Sequence, residues 1–184
     1  MSSKLPRLPF EQLDERAQAV LQERVERLGY LGEFFQVTGV QPTLLVPFME
    51  MTHAFKEVLP QRLIELVALT VARLMDNRYE QHQHERLSHK LGFGKPWISA
   101  VLTLAPQDAA ELSDAEQQVQ QLVIAMVDRR GKAVQQELAA VIAAIGEQQS
   151  VAVLFLVGRY ITHALIVNSL ELAPPVQSIF KEDE

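Results

Sequence analysis

Apolar residues recur at helical spacing along this chain, and no segment alternates apolar and polar residues over strand length. That 3.6-residue period commits it to an all-α architecture. The first helix is predicted from about Glu11 to Leu28, with Leu13, Ala17, Val20, Leu21 and Leu28 as its stripe and Gly29 as its stop. Tyr30 to Val40 is mixed, and Pro42 opens a helix over about Thr43 to Lys56. Pro60 stands where a first helical turn tolerates it, ahead of Gln61 to Met75. Asn77 or Arg78 starts the next helix, and Gly92 closes it as a left-handed cap. A short helix over Lys95 to Leu104 and a polar connection over Ala105 to Leu112 follow. Ser113 and Glu116 form a capping box for a helix reaching Arg130. Gly131 and Gly146 bracket Lys132 to Ile145, and a long apolar helix runs from about Glu147 to Glu171, where Pro174 and Pro175 stop it. The acidic tail, Lys181 to Glu184, is expected to fray. The two apolar runs beginning at Gln61 and Glu147 should form the centre of one bundle.

At 184 residues the chain fits one domain, or one domain with a helical arm. A chain this size buries roughly two-thirds of its unfolded surface, so stability requires neither disulfide nor metal. Cysteine is absent, which removes thiolate catalysis and thiol redox cycling. A formal net charge of -6, with scattered basic residues, argues against nucleic acid as a partner. Met1 to Pro9 is short, polar and proline-bearing, unlike a signal peptide. Val151 to Leu170 is apolar enough to resemble a membrane span, but Arg159, His163 and Asn168 are costly at a bilayer centre. The expectation is a buried helix in a cytoplasmic protein without a membrane partner.

One helix gathers chemistry. Taking His84 as reference, Asn77, Glu80, Leu87, Ser88 and Leu91 fall within about 60° of it, whereas Tyr79, His82, Arg86 and His89 lie opposite. Leu87 and Leu91 suggest that this face points inward. Glu80, one turn before His84, can orient the imidazole and raise its basicity, an arrangement suited to general acid/base catalysis. The same spacing also fits a structural Glu-His pair. Glu65 lies on the more polar side of its helix with Arg62, Ala68, Ala72 and Asp76. It is either a surface carboxylate paired with Arg62 or, given the small alanines, a group approached by another helix. The helical wheel separates His82, His84, Glu85 and His89, so no metal site is predicted. On the last helix, Tyr160 and His163 share a side with Ala152, Leu156, Val167 and Leu170, as core residues or as pocket lining. Phe34, Phe35, Met49, Met51 and Phe55 either fill a core or wall a cavity.

The run from Leu63 to Gly92 resembles the carboxymuconolactone decarboxylase and alkylhydroperoxidase D-like superfamily. Its marks are an apolar helix with an early glutamate, here Glu65, then a histidine with a glycine eight residues on, here His84 and Gly92. Leu156-Val157-Gly158-Arg159-Tyr160, with Asn168 beyond, resembles that family's last helix, and Pro42 with Leu44-Leu45 its N-terminal pattern. The resemblance covers about Leu8 to Pro174. It implies a single-domain helical bundle of the alkylhydroperoxidase D-like type over residues 1–184, with an N-terminal arm at about 8–56 and a core at about 60–175.

The departure is as informative. Peroxidase members carry Cys-x-x-Cys where this chain has Asn77 and Glu80. Without a thiolate there is no nucleophile for a peroxide and no disulfide to recycle. Tyr79-Glu80 resembles the Cys-less relatives, and the decarboxylases also place a Glu four residues before the His. The resemblance implies cofactor-free acid/base chemistry on a small organic acid or lactone: decarboxylation, isomerisation or hydrolysis. His84 would be the acid/base, Glu80 its orienting carboxylate and Glu65 a second relay, with Asn77, Tyr160 and His163 as possible pocket residues. A substrate carboxylate would need a cation, for which Arg73, Arg78 and Arg159 are the options. The alternative is a non-catalytic ligand-binding or scaffold protein. Family members form dimers, trimers and hexamers, so a homo-oligomer is expected.

Overall fold

The computed structural model describes residues 5–181. Among them lie eight α-helices and two short 3-10 turns, Phe10–Gln12 and Pro106–Asp108. The chain divides into two compact units, Met1–Ala54 and Phe55–Glu184. That boundary compares with the arm-to-core division expected between residues 56 and 60. Beyond Lys181, the acidic tail lies outside the described residues.

The first unit holds α1 (Glu15–Leu28), α2 (Glu33–Thr38) and most of α3 (Pro42–Val58). The first helix begins later than its periodicity suggests. Asp14 accepts a hydrogen bond from the Arg16 amide and caps α1, leaving Phe10–Gln12 as a separate turn. Phe34 and Phe35 pack edge to face at 5.1 Å and are buried, as is Met49. These residues fill a core. Gly39 is needed for close approach, because a Cβ there would collide with the Leu13 side chain and the Phe35 carbonyl.

The second unit is built around α4 (Gln61–Leu74), which packs against α5 (Arg78–Lys90), α6 (Gly94–Thr103), α7 (Asp114–Asp128) and α8 (Gln135–Ser169). Every residue from Leu63 to Ala72 is buried, so α4 is enclosed on all sides. The capping box on α7 forms as expected. Glu116 also accepts from Arg62 (2.6 Å) and from the Trp97 indole (3.1 Å), joining α4, α6 and α7. Arg62 is thus spent on Glu116 and is not the partner of Glu65.

Gly146 breaks α8 with φ 80° and ψ 166°, a backbone region that only glycine enters readily. This kink separates the two predicted helices while letting them run end to end. The helix α8 is long and apolar enough to cross a membrane by length and composition, yet 56% of its most apolar stretch is buried in the protein, and Arg159 and His163 are buried too.

The face of α5 opposite His84 is not open. The C-terminal segment crosses it, where Glu85 accepts from Ser178 Oγ (2.6 Å) and the Ile179 amide (3.3 Å). Arg86 donates to the Gln177 carbonyl, and His82 contacts the Val176 carbonyl. This strap accounts for the charged residues that the helical wheel places away from His84. Leu91, predicted to point inward, is exposed, because it is the C-cap residue just past the end of α5. Behind His84 the inward face continues through Ser88, which is fully buried.

Candidate functional site

Three helices bring their polar residues to one buried point. Pro60 stands at the N-terminus of α4, and one turn inside, Glu65 lies 1% exposed among aliphatic side chains. On α5, the Asn77 side chain caps the helix by accepting from the Glu80 amide (3.2 Å). That cap fixes the first turn, so Glu80 and His84 both face the interior. From α8 come Arg159, Tyr160 and His163, all buried.

Glu65 is the short partner of His84. The imidazole Nδ1 lies 2.7 Å from Glu65 Oε2. Ser88 Oγ donates to the same oxygen (3.3 Å) and Gln61 Nε2 to the other (2.9 Å). The second ring nitrogen of His84, Nε2, has two looser neighbours: Glu80 Oε2 at 3.5 Å and the Tyr160 hydroxyl at 3.4 Å. The expected assignment of Glu80 as the orienting carboxylate is therefore corrected. Glu65, from a different helix, holds the ring, and Glu80 stands at its open end.

Glu80 is engaged elsewhere. Its Oε2 lies 2.9 Å from His163 Nδ1 and 3.8 Å from Arg159 Nη1, and its Oε1 accepts from Gln83 (3.2 Å). Arg159 Nη1 also approaches His163 Nδ1 at 3.3 Å. One nitrogen cannot donate to Glu80 and accept from Arg159 at once. The shorter contact assigns the Nδ1 proton to the Glu80 bond. Carboxylates and imidazoles thus alternate in the order Glu65, His84, Glu80, His163.

The electrostatics follow from this alternation. Burial by itself would push the His84 imidazole down, but the charges and hydrogen bonds of Glu65 and Glu80 outweigh it and raise the pKa from 6.5 to about 9. Burial would raise Glu80, but His163 and His84 outweigh that and hold it well below 4.5. At neutral pH His84 is therefore an imidazolium, with both ring nitrogens as donors.

The structure gathers Glu65, Glu80, His84, Tyr160 and His163. Asn77 lies beside them, but its carbonyl oxygen is used as a helix cap. Of the three candidate cations, Arg159 is at the site, while Arg73 and Arg78 are exposed. Gln61 was not singled out by sequence, and Ser88 was placed on the His84 face without a role. Gln61 stands one turn before Glu65 and Ser88 one turn after His84, and that spacing was the available signal. Among the described residues, no group of three or more acidic or histidine side chains is arranged to hold a metal ion.

No family model matches the sequence, and no curated protein matches it. Solved structures do match. The debrominase Bmp8, as a Cys-to-Ala variant in complex with 2,3,4-tribromopyrrole, superposes with a TM-score of 0.79 at 12% identity, over 94% of this chain and 92% of that one. The alkylhydroperoxidase AhpD core of an uncharacterized peroxidase-related protein from Ralstonia eutropha JMP134 gives 0.79 at 10% identity, over 93% and 91%. The fold is that of alkylhydroperoxidase D. This chain is an all-α bundle with that fold, and it contains no cysteine.

Proposed function

We propose that this alkylhydroperoxidase D-like protein is a cofactor-free acid catalyst acting on a small organic molecule, with His84 as the proton donor. The observation that carries this is the clamp of Glu65 on His84 Nδ1, which leaves a charged imidazolium with its Nε2 proton only loosely engaged. Glu65 orients and charges the ring. Glu80 and Tyr160 flank the proton to be transferred. His163 and Arg159 hold Glu80 ionised, so that it does not take that proton itself.

The protonation state ranks the reactions. Activating a water for lactone hydrolysis needs a neutral base, and His84 is mostly charged below pH 9. Decarboxylation fits better. The C–C bond to the carboxylate breaks, the electron pair passes into a conjugated carbonyl or alkene of the substrate, and His84 Nε2 delivers a proton to the resulting carbanion. Isomerisation ends in the same protonation. Arg159 and His84 are already balanced by two carboxylates. The site thus has little spare positive charge, and a conjugated ring or lactone bearing a single carboxylate fits it better than a multiply charged acid. The debrominase neighbour's complex with a tribromopyrrole supports a small ring compound as ligand.

The test is a panel of β-keto acids, unsaturated lactones and electron-rich heterocycles, followed by carbon dioxide release, absorbance and solvent deuterium incorporation. His84→Gln should lower any turnover by about two orders of magnitude or more. Turnover unchanged in that variant would remove the proposal. Saturable ligand binding without turnover would instead favour the binding-protein reading.

A further inference from the structure

The two ends of the His84 ring are unequal. Glu65 holds Nδ1 at 2.7 Å, whereas Nε2 has the Tyr160 hydroxyl at 3.4 Å and Glu80 Oε2 at 3.5 Å. Of these two neighbours Glu80 is already engaged, lying 2.9 Å from His163 and 3.8 Å from Arg159. Tyr160 meets the imidazole edge to face, with ring centroids 5.4 Å apart and planes at 82°. The guanidinium carbon of Arg159 stands 4.4 Å over the Tyr160 ring. Core packing needs only that ring, which a phenylalanine would supply. The hydroxyl against the imidazole is the part that calls for an account.

The charge on the histidine fixes the direction of this contact. His84 is protonated at both nitrogens at neutral pH, so Nε2 donates and the Tyr160 oxygen accepts. The phenolic proton then points away from His84. A phenol can accept one hydrogen bond while donating another, which an ionised carboxylate cannot do. Glu80, held ionised, carries no proton to pass on.

We propose that Tyr160 is the group that hands the proton to substrate: it gives its own phenolic proton to the reacting carbon and takes the one on His84 Nε2. This rests on His84 being the acid, and adds the route its proton takes. In a decarboxylation the substrate C–C bond breaks, carbon dioxide leaves, and the electron pair stays with the substrate as a carbanion. The carbanion takes the phenolic proton to form a C–H bond, and the O–H electron pair remains on the tyrosine oxygen. That oxygen takes the Nε2 proton. The N–H electron pair remains on the imidazole, now neutral, with its Nδ1 proton still on Glu65. Tyr160 ends as it began, and solvent restores the imidazolium before the next turnover. The two positive groups beside the phenol, His84 and Arg159, stabilise the negative charge that passes through its oxygen.

Exposure puts the substrate on the same side. Glu65, Glu80 and His163 are at most 2% exposed, whereas His84, Tyr160 and Arg159 keep slight contact with solvent, at 8%, 5% and 4%. A substrate carboxylate held by Arg159 would set the neighbouring carbon near the phenol, because the guanidinium lies over that ring. The 3.4 Å contact is long, and catalytic hydrogen bonds of this kind tighten once substrate is bound.

Tyr160→Phe removes one oxygen and keeps the ring, so the melting temperature should be unchanged. Without any substrate, nitrogen NMR at neutral pH should show the His84 Nε2 resonance moving in this variant, since the charged ring loses an acceptor, while Nδ1 stays in place. An unmoved Nε2 overturns the inference. The turnover probe is an α-methyl β-keto acid in heavy water. For Tyr160→Phe, kcat should fall about a hundredfold with KM nearly unchanged. Deuterium should enter one face of the product with the wild type and both faces with the variant, where water protonates the carbanion. A wild-type rate in Tyr160→Phe, or a slowed rate with the label still on one face, overturns the inference; if His84→Gln is slow as well, His84 remains the acid and delivers its proton directly. If His84→Gln also keeps the wild-type rate, the acid-catalyst reading falls and this inference falls with it.

Discussion

Glu65→Gln removes one charge from a buried pair and leaves the shape of the site nearly unchanged, so its effect isolates the electrostatics of the clamp. In the native protein the His84 pKa rises from 6.5 to about 9. At about 1.4 kcal/mol per tenfold change in proton affinity this amounts to roughly 3 kcal/mol of stability. Between those two pH values the folded protein binds a proton that the unfolded chain has released. The His84 contribution is therefore complete below about pH 6.5 and declines as pH rises, until it is lost above about pH 9. Glu65 is the nearer of the two carboxylates, so its neutralisation should remove most of that contribution. His84 should then titrate at or below about 7, because burial would act with only Glu80 opposing it. The assays are NMR titration of the His84 ring and urea unfolding at pH 6, 7.5 and 9.5. The wild type should lose roughly 3 kcal/mol across that range, and the variant should lose far less. A wild-type His84 titrating below 7, or the same alkaline loss in both proteins, would refute the reasoning.

On the acid side, the depressed Glu80 carboxyl stabilises the fold above the unfolded value near 4.5 and loses that effect as pH falls through its lower folded value. Urea midpoints between pH 5 and 3 should decline less steeply in Glu80→Gln than in the wild type. Glu85→Ala orphans Ser178 and the Ile179 amide under the C-terminal strap. It should cost about 1 to 3 kcal/mol and speed amide exchange at 178–180. Gly146→Ala meets no neighbour but forces alanine into the kink geometry, so calorimetry should show a loss on the order of 1 to 3 kcal/mol. Peroxide consumption with a thiol reductant should not exceed background, because the chain offers no sulfur nucleophile.

The helical class, the capping box at Ser113, the stop at Gly146 and the inward set of Glu80, His84 and Ser88 were legible in the sequence. Each is local: a period of 3.6, a cap within three residues, or a glycine where a left-handed turn is needed. The absence of a thiol was equally plain, and composition alone thereby removes thiol peroxidase chemistry. What the sequence left open was partnership across helices. Glu65 and His84 are 19 positions apart, and Glu80 and His163 are 83 apart. No periodicity within one helix reports which charges meet when helices pack. Arg62 was an equally good local partner for Glu65, until the packing of α4 against α7 gave it Glu116. Tertiary structure therefore decided which carboxylate holds the imidazole, that the imidazole is charged at neutral pH, and that the outer charges of α5 secure the C-terminal strap. The physical reason is that a local pattern fixes which face of a helix is apolar, whereas the strength of a buried ion pair depends on distance and on water excluded by the whole bundle.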